Sequence, residues 1–177
     1  MILIVGGFGQ DKRNRFEAFL RDSGEESFEE GTGCFPERIL DGEEILNHAM
    51  VSLNQTTNWS AETLVKEIQT FAPDGINHFH SLMRSLFLDG VYDRIRQSAS
   101  EGSKNYLDDL EDYLWEELRE TYLGCKWILC DEVGNGVIPI SGADRDYRML
   151  VGRLQTRLAV EAESVYRMTC GIPVKIK

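Results

Sequence analysis

Apolar residues along the chain group into two kinds of pattern. Met1-Ile-Leu-Ile-Val5 and Lys126-Trp-Ile-Leu-Cys130 contain short, continuous apolar runs. Such runs predict strands buried on both faces of a parallel sheet. The first empties into Gly6-Gly7-Phe8-Gly9, and Asp11 to Asp22 then carry Phe16, Phe19 and Leu20 at helical spacing. The chain therefore opens as strand, glycine loop and helix. Arg38-Ile-Leu40 reads as a short second strand closed by Asp41-Gly42, after a loop over Gly24 to Gly33.

The middle reads as mostly helical. Ser60 is placed to cap a helix bearing Leu64, Val65, Ile68 and Phe71, which Pro73 ends. A second helix is predicted from about Ile76 to Leu88, stopped by Asp89-Gly90, with a polar connection over Ser98 to Ser103. From Lys104 to Leu123, residues Leu107, Leu110, Leu114 and Leu118 form one stripe, which Tyr106, Tyr113, Trp115 and Tyr122 broaden. That surface suits core packing, with an oligomer contact as the second reading. A long helix is expected from about Ala143 to Glu163, then strands over Ser164 to Cys170 and Pro173 to Ile176. Strands alternating with helices predict an α/β fold of the P-loop type: a mostly parallel central sheet with helices on both faces. No repeat or linker divides residues 1–177, so one domain is expected.

Composition narrows the function. The 177 residues are 42% apolar and 28% charged, with a formal net charge of −11. That balance argues against nucleic acid or an anionic membrane as a partner, because neither would meet a basic surface. The acidic stretches Glu25 to Glu30 and Asp108 to Glu120 read as solvated surface. No apolar run is long enough to span a bilayer, and no basic region precedes the first one. Cys34, Cys125, Cys130 and Cys170 contain no Cys-x-x-Cys pair and are expected to be buried, reduced thiols of a cytoplasmic protein.

The first loop carries the candidate chemistry. A phosphate-binding loop reads Gly-x-x-x-x-Gly-Lys-Ser/Thr between a strand and a helix. Its backbone N–H groups wrap the phosphates, its Lys reaches the outer ones and its hydroxyl binds Mg²⁺. Here the aligned residues are Gly6, Gly7, Phe8, Gly9, Gln10, Asp11, Lys12 and Arg13. Asp11 replaces the second glycine, and Arg13 replaces the hydroxyl. A carboxylate roughly 5 Å from a phosphate charge, at an effective dielectric of about 20, costs about 3 kcal/mol per charge pair. Arg13 cannot ligate Mg²⁺, although its guanidinium can hold an anion without metal. The loop alone supports two readings: a nucleotide site, or a glycine turn that packs a helix.

Two later runs are more specific. One is Asp131-Glu-Val-Gly-Asn-Gly-Val-Ile-Pro139. The other is Gly152-Arg-Leu-Gln-Thr-Arg-Leu-Ala159, followed by Glu163-Ser-Val165 and Gly171-Ile-Pro-Val-Lys-Ile-Lys177. With the opening strand and Gly-Gly loop, they resemble the bifunctional adenosylcobinamide kinase / adenosylcobinamide-phosphate guanylyltransferase family. Gln155 stands one place earlier than that family's pattern. The likeness runs from Asp131 to Lys177 and over the first dozen residues; the middle aligns little.

That resemblance implies a role in cobalamin assembly or salvage on a P-loop kinase-like sheet. ATP or GTP would phosphorylate the aminopropanol arm of a cobinamide, and GMP would then pass to that phosphate through a guanylylated histidine. It implies trimers with active sites near subunit boundaries. Carried over by position, Gly6 to Arg13 would line the triphosphate, Lys12 would contact its outer phosphates, and Asp131 would hold Mg²⁺ through water. Glu132 belongs to the matching segment as a catalytic candidate. His48, following Ile39-Leu-Asp-Gly-Glu-Glu44, is a loose analogue of the nucleotide-accepting histidine. His78 and His80, two apart on the expected helix, point to different faces. Two functions remain open: an active transferase of cobinamide metabolism, or a non-catalytic relative binding a nucleotide, anion or corrinoid for assembly or regulation.

Overall fold

The computed structural model describes residues 1–23, 38–54, 60–88, 106–134, 136 and 138–177. The expected loop over 24–33, the polar connection over 98–103, Asp89-Gly90 and Cys34 lie outside them. Strand β1 (Ile2–Gly6) leads to helix α1 (Lys12–Ser23). Then come β2 (Ile39–Asp41), α2 (Gly42–Asn54) and α3 (Ala61–Phe71). They are followed by β3 (Gly75–Asn77) and α4 (Phe79–Leu88). The chain continues with α5 (Tyr106–Gly124), β4 (Trp127–Asp131) and α6 (Gly142–Glu161), and ends in β5 (Ser164–Thr169) and β6 (Ile172–Lys175).

The strands form one sheet in the order β2-β3-β4-β1-β5-β6. The first five in that order run parallel, and only β6 is antiparallel, on β5. As expected, the two apolar runs are neighbouring inner strands, with Leu3 opposite Ile128 and Gly6 opposite Asp131. Their side chains alternate between faces. Leu3, Ile76, Ile128, Cys130 and Val165 join the core made with α3, α4, α5 and α6. Ile4, Trp127, Leu129, Tyr166 and Met168 meet Phe16 and Leu20 of α1 on the other face. Burying each large apolar side chain contributes about 1.5–3 kcal/mol, so continuous apolar strands are stable only with both faces covered.

Ser60 caps α3 as predicted, its hydroxyl accepting from the Thr63 N–H at 3.1 Å. Leu64, Val65 and Ile68 are buried, whereas Phe71 is exposed. The stripe on α5 is also core: Leu107, Leu110, Leu114, Trp115, Leu118 and Tyr122 are all buried within the chain. The acidic run on that helix is more than solvated surface, because Asp108, Glu111 and Asp112 pair with Arg153 and Arg157 of α6.

Two expectations need correction. The helix predicted from Ile76 begins only at Phe79, and Gly75–Asn77 is a strand. Ile76, Phe79 and Met83 are spaced for a helix, but backbone pairing with β2 and β4 decides the outcome. Gly75 makes that pairing possible, since a Cβ there would lie 2.6 Å from the Trp127 ring. Cys125 and Cys130 are buried thiols pushed up to about 12 by desolvation. Cys170, in contrast, is exposed, because it sits in the β5–β6 turn with φ 52°.

Candidate functional site

Because β1 to β4 run parallel, their carboxyl ends share one edge of the sheet, where open α/β sheets bind ligands. The chain leaves β1 toward β2 and leaves β4 toward β5, on opposite sides of the sheet order. The crevice between Gly6 and Asp131 is therefore the topological switch point. A cavity of about 390 Å³ opens there, lined by Phe8, Gly9, Asp11, Lys12, Arg13, Asn14, Glu43, Asn77, His78 and Asp131.

The glycine loop forms one wall. A Cβ at Gly6 would stand 2.7 Å from Met168 Cβ, so β1 can end beside β5 only with glycine there. Gly9 turns the chain at φ 72°, and Asp11 adopts φ 47°, a left-handed conformation that glycine takes most easily. The Asp11 carboxylate accepts from Asn14 Nδ2 at 2.8 Å, within the first turn of α1. Gln10 lies behind Gly6 and Gly7, and its buried Oε1 has no hydrogen-bond partner among the described residues. Phe8 is 87% exposed at the lip.

Lys12 crosses the crevice. Its Nζ donates to the Gly7 carbonyl at 3.0 Å and pairs with Asp131 Oδ1. Asp131 is held from behind: Gln155 Nε2 donates to its carbonyl oxygen at 2.9 Å, and its own N–H donates to His80 Nδ1 at 3.2 Å. That backbone donor requires a lone pair on Nδ1, so the neutral His80 ring carries its proton on Nε2. Nε2 lies 3.2 Å from Ser81 Oγ and 3.8 Å from Asp131 Oδ2. Burial depresses the His80 pKa, and His78 and Lys12 lower it further against the opposing pull of Asp131 and Glu43.

The opposite wall comes from β2, β3 and the helices after them. Asp41 ends β2 and accepts from the Glu43 N–H at 2.9 Å, from Asn77 Nδ2 at 2.8 Å and from His78 Nδ1 at 3.1 Å. Burial raises the Asp41 pKa, but these hydrogen bonds outweigh it and hold the carboxyl below its ordinary range. His78 sits between β3 and α4 with φ 51°, and its carbonyl accepts from Ser81 and Leu82 at the start of α4. The His78 and His80 ring centroids are 6.1 Å apart. The two side chains therefore approach each other, because residue 78 precedes the helix instead of lying on it.

Of the residues singled out by sequence, Phe8, Gly9, Asp11, Lys12, Arg13, His78 and Asp131 line this cavity. Glu132 follows β4 but is drawn sideways onto Arg167 of β5, at 3.1 and 3.2 Å. His48 is exposed on α2 and is not part of the cavity lining. The residues present do not fit a protein-held Mg²⁺. Arg13 occupies the hydroxyl position, Asp131 already pairs with Lys12, and no group of three His, Cys, Asp or Glu among the described residues is arranged for a metal.

The sheet order, the strand-loop-helix opening and the switch-point crevice define an α/β protein of the P-loop type. The family model for cobinamide kinase / cobinamide phosphate guanyltransferase matches residues 42–176, and the chain belongs to that family. The matched span includes the middle, where the sequence reading aligned little, and begins after the phosphate loop. Two curated relatives are each described as bifunctional adenosylcobalamin biosynthesis protein CobU. The Salmonella typhimurium protein is 22% identical over 185 residues, covering 100% of this chain and 99% of its own. The Escherichia coli protein is 23% identical with the same coverage.

Proposed function

We propose that this protein is a nucleotide-dependent transferase of cobalamin assembly that phosphorylates cobinamide with ATP or GTP and holds the triphosphate weakly. The observation that carries this reading is the placement of Lys12 at the N-terminus of α1, in a crevice beside the strand-end acid Asp131. A helix N-terminus and a lysine together attract phosphate. Weakness follows from two features. Asp11 puts a carboxylate on the same wall, and Lys12 must leave a partner it already has.

A second reading is favoured by that same ion pair. Were Lys12 to stay on Asp131, the protein would be a non-catalytic relative that binds an anion or corrinoid for assembly or regulation. A cytoplasmic location and a homotrimer belong to the proposal as well. The trimer is supported by Ile172, Val174 and Ile176, exposed on and beside edge strand β6, and light scattering at micromolar concentration tests it.

Calorimetric titration with ATP, GTP and cobinamide, with and without Mg²⁺, decides between the two functions. Weak nucleotide binding with slow phosphorylation of cobinamide supports the transferase. Cobinamide or phosphate binding without any nucleotide affinity overturns it in favour of the second reading.

A further inference from the structure

The wall facing the phosphate loop carries a pair of residues that the loop chemistry leaves unexplained. His78 Nδ1 lies 3.1 and 3.3 Å from the two oxygens of Asp41. An ionised carboxylate only accepts hydrogen bonds, and Asp41 also takes donors from Asn77 and Glu43. The ring nitrogen facing it must therefore carry the proton. The Nε2 lone pair is left on the far side, 3.9 Å from Glu43 Oε1 and beyond hydrogen-bond reach of it. The placement is also enforced through the backbone. His78 is held at φ 51°, and a Cβ at Gly42 would stand 2.2 Å from its carbonyl oxygen. A non-glycine residue kept in that region beside a cavity marks strain retained by its surroundings.

Resting on the kinase reading above, we propose that His78 is the proton acceptor for the alcohol that attacks the terminal phosphoryl group, and that Asp41 is its positioning residue. The alcohol O–H proton passes to Nε2 as the new O–Pγ bond forms. The bond between Pγ and the bridging oxygen breaks, and the nucleoside diphosphate leaves with that electron pair. Nothing is oxidised or reduced, and the imidazolium later returns its proton to water. The charged and titratable groups that face His78 are Asp41 on β2, Glu43 on α2, His80 on α4, and Asp11, Lys12, Arg13 and Asp131 of the opposite wall. A base on one wall and a phosphate-binding lysine on the other place the acceptor between them, the arrangement that proton transfer during phosphoryl transfer requires.

The test uses the full chain and His78→Asn. Asparagine tolerates a positive φ and keeps an N–H near the position of Nδ1, while it deletes Nε2. We expect nucleotide affinity within about threefold of wild type, a cobinamide phosphorylation kcat lower by about 100-fold or more, and loss of the acid-side fall in kcat. In ¹⁵N-histidine spectra at pH about 8, the resonances that vanish in His78→Asn should report the Nδ1–H tautomer, and Asp41→Asn should mix the tautomers. Transfer by His78→Asn within about threefold of wild type with the same pH profile overturns the base role alone, as does an Nε2–H tautomer. Wild type that binds nucleotide yet phosphorylates no cobinamide overturns the kinase reading, and the base role with it.

Discussion

The two walls of the cavity each carry an acid at a strand end paired with a basic side chain, but they differ in burial. On the loop wall, the Lys12 and Asp131 side chains are 9% and 11% exposed. On the other, His78 and Asp41 are 29% and 25% exposed. A pair closed off from water resists separation, because either partner left alone keeps an uncompensated buried charge. A half-open pair can be reached by whatever enters the cavity. The loop wall is therefore built to hold, and the histidine wall is built to meet a ligand.

The largest effect that could break this contrast comes from Lys12→Ala. It leaves Asp131 buried without its cation and should lower stability by about 3–5 kcal/mol, read as a fall in the urea midpoint. Nucleotide binding should disappear at the same time. The double variant Lys12→Met with Asp131→Leu should recover most of the stability and none of the binding. If Lys12→Ala unfolds at the same midpoint as wild type, the buried pair is not what holds the loop.

Gly42→Ala strikes the other wall. Its Cβ would meet the His78 carbonyl oxygen and also the Leu82 nitrogen at 2.6 Å. Overpacking of this kind costs about 1–3 kcal/mol, and here it should displace His78 as well. Transfer activity should fall more than nucleotide affinity, whereas equal losses would show that the two walls do not act separately.

A smaller gain is expected from repairing the loop. Asp11→Gly with Arg13→Ser removes a carboxylate from the cavity, relieves the φ of 47° and restores the hydroxyl. Mg-nucleotide affinity should rise at least about tenfold, equal to about 1.4 kcal/mol. Unchanged affinity would mean that the hold of Asp131 on Lys12, not the altered loop, limits binding.

The loop wall was legible in the sequence, whereas the histidine wall was not. Lys12 opens the helix that follows one continuous apolar run and Asp131 ends the other, so one sequence window suffices to place each. Asp41 and His78 are 37 residues apart, and their meeting depends on recognising β3. That strand has three residues, and the helical spacing of Ile76, Phe79 and Met83 hides it. What reveals it is non-local: Gly75 making room for Trp127, and pairing to strands on both sides. Once Asn77 is seen to end a strand, Asp41 and His78 both become strand-end residues of one parallel sheet. Gln155 was visible as part of a motif, but its purpose, holding the Asp131 carbonyl, appears only when α6 lies across β4.

The smallest effect concerns the hinge between the walls, His80, which contacts Asp131 and lies beside His78. Burial is the first cause of its depressed pKa, so the folded state binds a proton less readily than the unfolded chain. Between the folded pKa and the unfolded value of about 6.5, the unfolded chain carries the proton and the native state does not. Stability therefore rises with pH across that window. The contribution is fully present above about 6.5 and is lost as the pH falls toward the folded pKa. Urea midpoints measured from pH 7.5 down to 5.5 should decline in wild type and decline less in His80→Asn, which keeps an acceptor near the position of Nδ1 for the Asp131 N–H but cannot titrate. Asp41 acts in a lower window, since its stabilising hydrogen bonds weaken only as the pH drops below about 4. Identical pH slopes in wild type and His80→Asn would show that His80 ionises as freely in the folded protein as in water. The buried neutral ring beneath Asp131 would then be the wrong picture of the loop wall.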